Sequence, residues 1–294
     1  MSELHKAVQR VKMASDMSLV YFKQPLTVCY SGGRDSEVLV KIAKISKVPF
    51  IIQHSHTTID APQTVQHVRK QFAKWENEGH KCKIDYPPQS FWQLLGKKTT
   101  PPTRLIRYCC KEQKEFANKN KVLLTGVRWD ESSKRKNNRG IYESNAVKKE
   151  NRIILMNDND DRQQLTNRCM QLNLTTVNPI IDWADKLRDD FITDLKLECN
   201  PLYCMGFKRC GCVGCPMASK QQRYFEFEMF PKYKALYLKG FQRMLDYRNY
   251  REKQGLSHYK MKFKTANDIW LFFMEENTQI FGQYTIEELW GEVI

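Results

Sequence analysis

A chain of 294 residues with 41% apolar and 28% charged side chains has the composition of a globular protein of one or two domains, which excludes collagenous, wholly disordered and membrane-embedded architectures. Lysine and arginine outnumber aspartate and glutamate, 48 to 33, for a formal net charge of +15, so polyanions are attracted at pH 7 and released as salt rises. No apolar run reaches the ~20 residues of a bilayer span, and the start Met1-Ser-Glu-Leu-His5 lacks an apolar signal core, so the expected location is cytoplasmic with no membrane partner.

In chain order, Leu4 to Phe22 carries apolar positions at three- and four-residue spacing and reads as an amphipathic helix within an N-terminal segment, 1–24, closed by Pro25. Leu26 to Tyr30 is a β-prone run that delivers Ser31-Gly32-Gly33 to a helical pattern over Glu37–Ile45, and Val48 to Ile52 is a second strand. Val68–Trp75 is predicted helical, Lys83-Ile84 opens a short strand, Phe91–Leu95 is a helical turn, and Val122–Thr125 is a strand ending at Gly126. This alternation predicts an α/β domain over 25–198, a mostly parallel sheet flanked by helices. Residues 134–152 are basic and polar, with a turn at Asn137-Asn-Arg-Gly140, and read as a surface loop. Asn178-Pro-Ile-Ile181 restores the apolar pattern, and a helix follows Asp182.

A cysteine-rich segment spans 199–219, and a basic, aromatic-rich helical region spans 220–294. Within the latter, Lys220–Lys264 holds twelve basic residues against four acidic ones, with eleven Phe or Tyr interleaved. That pattern suits a nucleic-acid surface, basic side chains on phosphates and aromatics such as Tyr224, Phe225, Tyr233, Tyr237, Tyr247 and Tyr250 on exposed bases. It equally suits a helix pair whose aromatics pack inward.

A strand that hands Ser31-Gly-Gly-Arg-Asp-Ser36 to a helix N-terminus is suited to phosphate. Gly32 and Gly33 permit a tight turn with inward N–H groups, and the helix dipole adds positive character. Ser31 and Ser36 can donate to phosphoryl oxygens, Arg34 can neutralise one, and Asp35 can orient Mg2+ or its waters. The Walker ending and the third glycine of the dinucleotide fingerprint are absent.

This run resembles the signature of the PP-loop ATP pyrophosphatase superfamily. With His56-Thr57-Thr-Ile-Asp60-Ala-Pro62, Leu124-Thr-Gly126-Val-Arg128-Trp-Asp-Glu131 and Asn178-Pro-Ile-Ile-Asp-Trp183, it is similar, block by block, to the phosphoadenosine phosphosulfate (PAPS) reductase family. The resemblance implies an adenine-nucleotide α-hydrolase-like fold with ATP, or PAPS or adenosine phosphosulfate (APS), at the carboxyl ends of the strands. His56, Thr57, Gly126 and Arg128 then lie near the nucleotide, with Arg34, Asp35 and Arg128 as candidate catalytic groups. Arg128 is the expected phosphate or sulfate clamp, the alternative being a surface pair with Glu131.

Ten cysteines in a reducing compartment point to metal or redox use. Cys109-Cys110 and Cys212-Val-Gly-Cys215 together supply four thiolates, and soft ligands select iron–sulfur or zinc. The pairing resembles that of cluster-bearing APS reductases, which implies a [4Fe-4S] cluster on Cys109, Cys110, Cys212 and Cys215. Two alternatives stand: zinc on Cys204, Cys210, Cys212 and Cys215, or a DndC-like arrangement in which Cys204 replaces Cys110. Cys29, Cys82, Cys169 and Cys199 read as small buried side chains.

Family reductases attack the sulfate sulfur with a C-terminal cysteine, whereas here no cysteine follows Cys215. The expected activity is therefore ATP-dependent, pyrophosphate-releasing sulfur transfer to DNA or RNA, resembling DndC-type proteins, with a sulfur donor such as a cysteine desulfurase. One alternative is a sulfonucleotide reductase that releases sulfite with thioredoxin, using Cys204 or Cys210. The other is a non-catalytic nucleotide-sensing or DNA-bound regulatory partner.

Overall fold

A computed structural model describes residues 2–116, 121–144, 153–156, 174–256 and 263–275. In chain order the elements are α1 (Glu3–Met17), β1 (Leu26–Cys29), α2 (Arg34–Ser46), β2 (Phe50–Ser55), α3 (Pro62–Asn77), β3 (Lys81–Asp85), α4 (Phe91–Gly96) and α5 (Tyr108–Cys110). They continue with β4 (Lys121–Leu124), α6 (Ser133–Asn138), β5 (Tyr142–Ser144), β6 (Ile153–Leu155), β7 (Leu174–Val177), α7 (Asp185–Asp194), α8 (Lys220–Met229), α9 (Pro231–Lys253) and α10 (Ala266–Glu275). The chain forms two units: 1–56, 62–85 and 116–211 make the first, and 57–61, 86–115 and 212 onward make the second.

The first unit holds one seven-stranded sheet in the order β3-β2-β1-β4-β7-β5-β6. The five strands β3, β2, β1, β4 and β7 run parallel, with Leu26 beside Phe50 and Thr27 beside Leu123, and β5 and β6 add antiparallel to that edge. Leu26, Val28, Ile52, Val122, Leu124 and Val177 are buried, the near-continuous apolar reading of strands covered on both faces. This is the expected α/β architecture of a parallel sheet flanked by helices.

The N-terminal helix α1 begins at Ser2, whose side chain accepts from the His5 N–H. It buries Ala7, Val11 and Ala14 and extends into a π turn over Ser18–Phe22. Lys23, at φ 53°, ends that turn, two residues before the proline that the sequence marks as the break. On the same buried face Arg10 forks onto both carboxylate oxygens of Asp182 at 2.8 Å and onto the Pro179 carbonyl at 2.9 Å, tying α1 to the turn after β7.

Residues 134–152 differ from the expected surface loop. Ser133–Asn138 is helix and Tyr142–Ser144 is a sheet strand, whereas 145–152 lie outside the described residues. The cause is Ile141 and Tyr142, both buried, together with Gly140, where a Cβ would lie 2.3 Å from the Leu155 carbonyl oxygen. Two apolar residues and a close backbone approach outweigh a basic surrounding sequence. Strands β6 and β7 likewise went unforeseen.

The second unit is helical and aromatic. Phe91, Leu94 and Leu95 of α4 are buried, as are Tyr237, Phe241, Met244 and Leu245 of α9. Phe227 of α8 and Trp270 and Phe273 of α10 join them through edge-to-face contacts, such as Phe227 on Trp270 at 4.7 Å. A Cβ at Gly240 would meet Leu95 at 2.6 Å, so the glycine sets how closely α9 approaches α4. Among the described residues no helix is long and apolar enough to cross a membrane.

Candidate functional site

The phosphate loop leaves β1 at Tyr30 and enters α2 at Arg34. Gly32 stands at φ 77° with its Cβ position 3.3 Å from both Thr64 and Val68, so any side chain there is strained twice over. The Ser36 hydroxyl donates to the Gly33 carbonyl at 2.7 Å and lies 3.2 Å from the Ser31 hydroxyl. These two serines brace the turn. Asn200 donates to the Gly32 carbonyl and to Thr64, each at 3.2 Å, and the Tyr203 hydroxyl accepts the Arg34 backbone N–H at 3.2 Å. Beneath the loop, Tyr30 donates to Glu37, which His67 Nε2 meets at 2.8 Å, all three buried.

Arg128 is buried and committed to protein acceptors. Its Nε donates to Asp35 Oδ1 at 2.5 Å, one terminal nitrogen to the Trp183 carbonyl at 3.0 Å and the other to Asp185 at 2.6 Å. A clamp of incoming phosphate would need those donors, so the geometry makes Arg128 a support for Asp35. Gly126 has the matching role on the backbone, for a Cβ there would stand 3.0 Å from the Asp35 carbonyl. Arg188 of α7, a residue the sequence did not single out, reaches Asp35 at 3.4 Å, Asp185 at 2.7 Å and Asp189 at 2.8 Å. Arg34 lies over the Tyr203 ring at 4.2 Å and 3.8 Å from Asp189. His56 is half-buried at the end of β2, its N–H donating to the Asp85 carbonyl.

Cys210 also belongs to this region. Its thiol hydrogen-bonds the Tyr203 hydroxyl, and burial pushes it up to about 11. Cys204 is exposed.

A cavity in the second unit is lined by Cys109, Cys110, Cys212 and Cys215, with Thr57, Ile59, Phe91, Pro102, Gln113, Lys114, Pro216 and Tyr237. Local folding explains the convergence. Asp60 and Cys212 form an antiparallel bridge, the Val213 N–H donates to the Ile59 carbonyl at 2.8 Å, and the Cys215 N–H turns back onto the Cys212 carbonyl. Tyr237 donates to the Val213 carbonyl at 2.9 Å, and Glu226 accepts the Gly214 N–H at 2.7 Å. Cys109 and Cys110 sit on α5, where the Cys109 thiol donates to Cys110, favouring the Cys110 thiolate and disfavouring that of Cys109. Cys212 donates to Thr57 Oγ1 at 3.4 Å and is pushed up to about 11 by burial. The Lys114 ammonium is held above its ordinary value, first by Cys212 and then, against burial, by Asp60. Thr57 and Lys114 therefore face sulfur; the sequence grouped Thr57 with the nucleotide and passed over Lys114.

The donor set fits an iron–sulfur cluster. Four soft sulfurs, apolar walls and one cation meet the needs of an anionic thiolate cluster. Among the described residues, none of these sulfurs joins a group of three ligand atoms within 4.8 Å, whereas four thiolates around one zinc at ~2.3 Å stand only ~3.8 Å apart. The sulfurs ring the cavity without meeting at a point.

The aromatics of α8 and α9 divide. Tyr237 is core, Tyr233 donates to the Asp60 carbonyl at 2.7 Å, and Tyr247 is half-buried beside Arg251, while Tyr224 and Tyr250 are exposed. Lys220, Lys232, Lys239 and Arg243 are exposed as well.

The phosphoadenosine phosphosulfate reductase domain profile matches residues 25–218. An uncharacterised protein of Methanocaldococcus jannaschii is 25% identical over 246 residues, 78% of this chain and 53% of the relative, so the chain spans about half of that protein's length. Among solved structures, phosphoadenylyl-sulfate reductase from Candida auris in a phosphate complex superposes with a TM-score of 0.46 at 17% identity, covering 70% of this chain and 88% of the other. The U34-tRNA thiolase NcsA from Methanococcus maripaludis, with its [4Fe-4S] cluster, gives 0.44 at 12% identity over 89% and 82%. The profile match extends without a break from β1 to the end of the Cys212–Ala218 turn, most of the described chain. The protein belongs to the phosphoadenosine phosphosulfate reductase domain family.

Proposed function

We propose that the protein is an ATP-dependent sulfur transferase acting on nucleic acid, with ATP at the phosphate loop and a [4Fe-4S] cluster on Cys109, Cys110, Cys212 and Cys215. The observation that carries this reading is the convergence of those four cysteines with Lys114 on one cavity, in a chain whose family signature includes a phosphate loop. Gly32 and the α2 N-terminus hold the phosphates, and Arg34 offsets their charge. A nucleophilic oxygen of the acceptor attacks the α-phosphorus, the bond to pyrophosphate breaks, and a sulfur nucleophile then displaces AMP from the adenylated acceptor. Mg2+ bound with the nucleotide would supply further positive charge at the departing pyrophosphate. When bound, the cluster supplies a soft site for sulfur and for single electrons. Lys114 and Thr57 face that sulfur, one as a cation and the other as a hydroxyl. Exposed Tyr224, Tyr250, Lys232, Lys239 and Arg243 are the residues offered to nucleic acid, which acts as acceptor and as polyanion.

One observation favours the reductase alternative: Cys210 hydrogen-bonds Tyr203, whose hydroxyl rests on the phosphate loop. A single experiment separates the two. Anaerobically purified protein is offered ATP with and without nucleic acid and, separately, PAPS with thioredoxin, and pyrophosphate and sulfite are measured. Pyrophosphate stimulated by nucleic acid is the expected result. Sulfite from PAPS would replace the transferase by the reductase, and tight nucleotide binding without either product would replace both by the regulatory partner.

A further inference from the structure

Around the phosphate loop three guanidinium groups, Arg34, Arg128 and Arg188, are met by four carboxylates, Asp35, Asp130, Asp185 and Asp189. The members are not equivalent. Arg128 is buried and makes hydrogen bonds from all three nitrogens, and Asp35 and Asp185 each bridge it to Arg188. That part, centred on buried Arg128, is framework.

Asp189 differs in touching both Arg188 and Arg34. One oxygen of its half-exposed carboxylate, Oδ1, takes Arg188 Nε and a terminal nitrogen, each at 2.8 Å, and faces Arg34 across 3.8 Å. The last distance is too long for a hydrogen bond. Among the described residues the Arg34 guanidinium makes none, and it is 36% exposed. A carboxylate thus stands between two arginines that come from different elements, α2 at the phosphate loop and α7. A negatively charged oxygen held by the fork of one guanidinium, with a second guanidinium opposite, is the arrangement by which arginines recognise a phosphate.

We infer that Asp189 is a built-in placeholder for an anionic group of the nucleotide, and that Arg188, with Arg34, is the pair of cations that group contacts once Asp189 has swung aside. The inference rests on the reading of the phosphate loop as a nucleotide site and specifies how that site is held empty. Three consequences of the geometry support it. The incoming phosphate cannot draw on Arg128, whose donors are taken. A phosphate added while Asp189 stays in place would meet its charge at close range, which like charges oppose. Releasing Asp189 costs little, because its side chain is 47% exposed and water solvates it.

The test measures binding of Mg-ATP and of inorganic pyrophosphate by calorimetry to the unaltered protein and to Asp189→Asn, Arg188→Gln and Gly32→Val. Asp189→Asn is expected to bind both ligands at least about fivefold tighter and Arg188→Gln at least about fivefold weaker, the size of one favourable exposed charge pair. Equal or weaker binding by Asp189→Asn overturns the placeholder. Wild-type ATP affinity in Gly32→Val would instead overturn the loop as the nucleotide site, while the pyrophosphate comparison still decides the role of Asp189. Binding seen with Asp189→Asn and absent from the unaltered protein supports the placeholder in its strongest form, and absence from both overturns it. A single cooperative thermal transition in each variant, whatever its midpoint, shows that the variants are folded.

Discussion

Arg128 Nε donates to Asp35 Oδ1 at 2.5 Å, joining the loop after β4 to the first turn of α2. The guanidinium is 1% exposed, so its partner cannot be replaced by water. Asp35→Asn is therefore expected to lower stability by about 2 kcal/mol, less than the full cost of orphaning a buried charge because Asp185 and the Trp183 carbonyl remain. Urea unfolding measures it, and a change below about 0.5 kcal/mol, the range of ordinary surface substitutions, would contradict the framework role.

Gly214 lies at φ 72°, and a Cβ there would stand 2.5 Å from the Phe227 ring and 3.1 Å from Tyr237. Gly214→Ala should cost more than 2 kcal/mol by the sum of backbone strain and overpacking, on the order of 1–3 kcal/mol each, and should lower iron content by displacing Cys212 and Cys215. Gly255, at φ 64° with nothing near its Cβ position, is the control for conformational strain alone. Thermal melts and iron assays on both variants decide the point.

Anaerobic protein loaded with iron and sulfide should be brown, and serine at Cys109, Cys110, Cys212 or Cys215 should remove most of the colour and acid-labile sulfide. Cys29→Ser should leave both. Full iron retention by Cys212→Ser would sink the ligand assignment. Normal loading of Cys110→Ser with loss in Cys204→Ser would transfer the fourth place to Cys204.

Burial pushes the Cys29 thiol up to about 12, against about 8.5 for a free cysteine. The folded protein therefore holds a proton that the unfolded chain releases above pH ~8.5, so this residue contributes stability that is full below that pH and declines as pH rises towards 12. Cys29→Ala should flatten the decline between pH 9 and 10.5, by up to about 1.4 kcal/mol per pH unit. At pH 8 iodoacetamide should modify exposed Cys204 well before Cys29. Early labelling of Cys29 in folded protein would refute the assignment.

The parts of this molecule that were legible from sequence are those where local chemistry and tertiary role agree. Ser31 to Ser36 between a β-prone run and a helical one announces its own geometry, because glycine is needed where φ is positive. The pairs Cys109-Cys110 and Cys212–Cys215 announce a soft ligand set. Strands β5, β6 and β7 did not announce themselves: each is three or four residues long and β5 is embedded in basic sequence, whereas the equally short β1 and β4 are apolar runs that end at glycine turns. Arg128 was visible as a functional arginine but not as a buried one, since burial depends on Asp35 and Asp185, 93 and 57 residues away. Arg188 and Asp189 look like any charged helix pair until α7 is set against the loop.

The cavity that gathers the cysteines draws its walls from Thr57 and Ile59, from Pro102 to Lys114, and from Cys212 to Tyr237. During synthesis the first two sets emerge from the ribosome roughly a hundred residues ahead of the third. A nascent chain cannot hold four thiolates in one place until Cys215 has been made, and contacts of such long range form slowly. On the proposed ligand set, iron loading would be a late event in the life of the polypeptide, one that follows release of most of the chain, and the early thiols Cys109 and Cys110 would be open to oxidation in the interval.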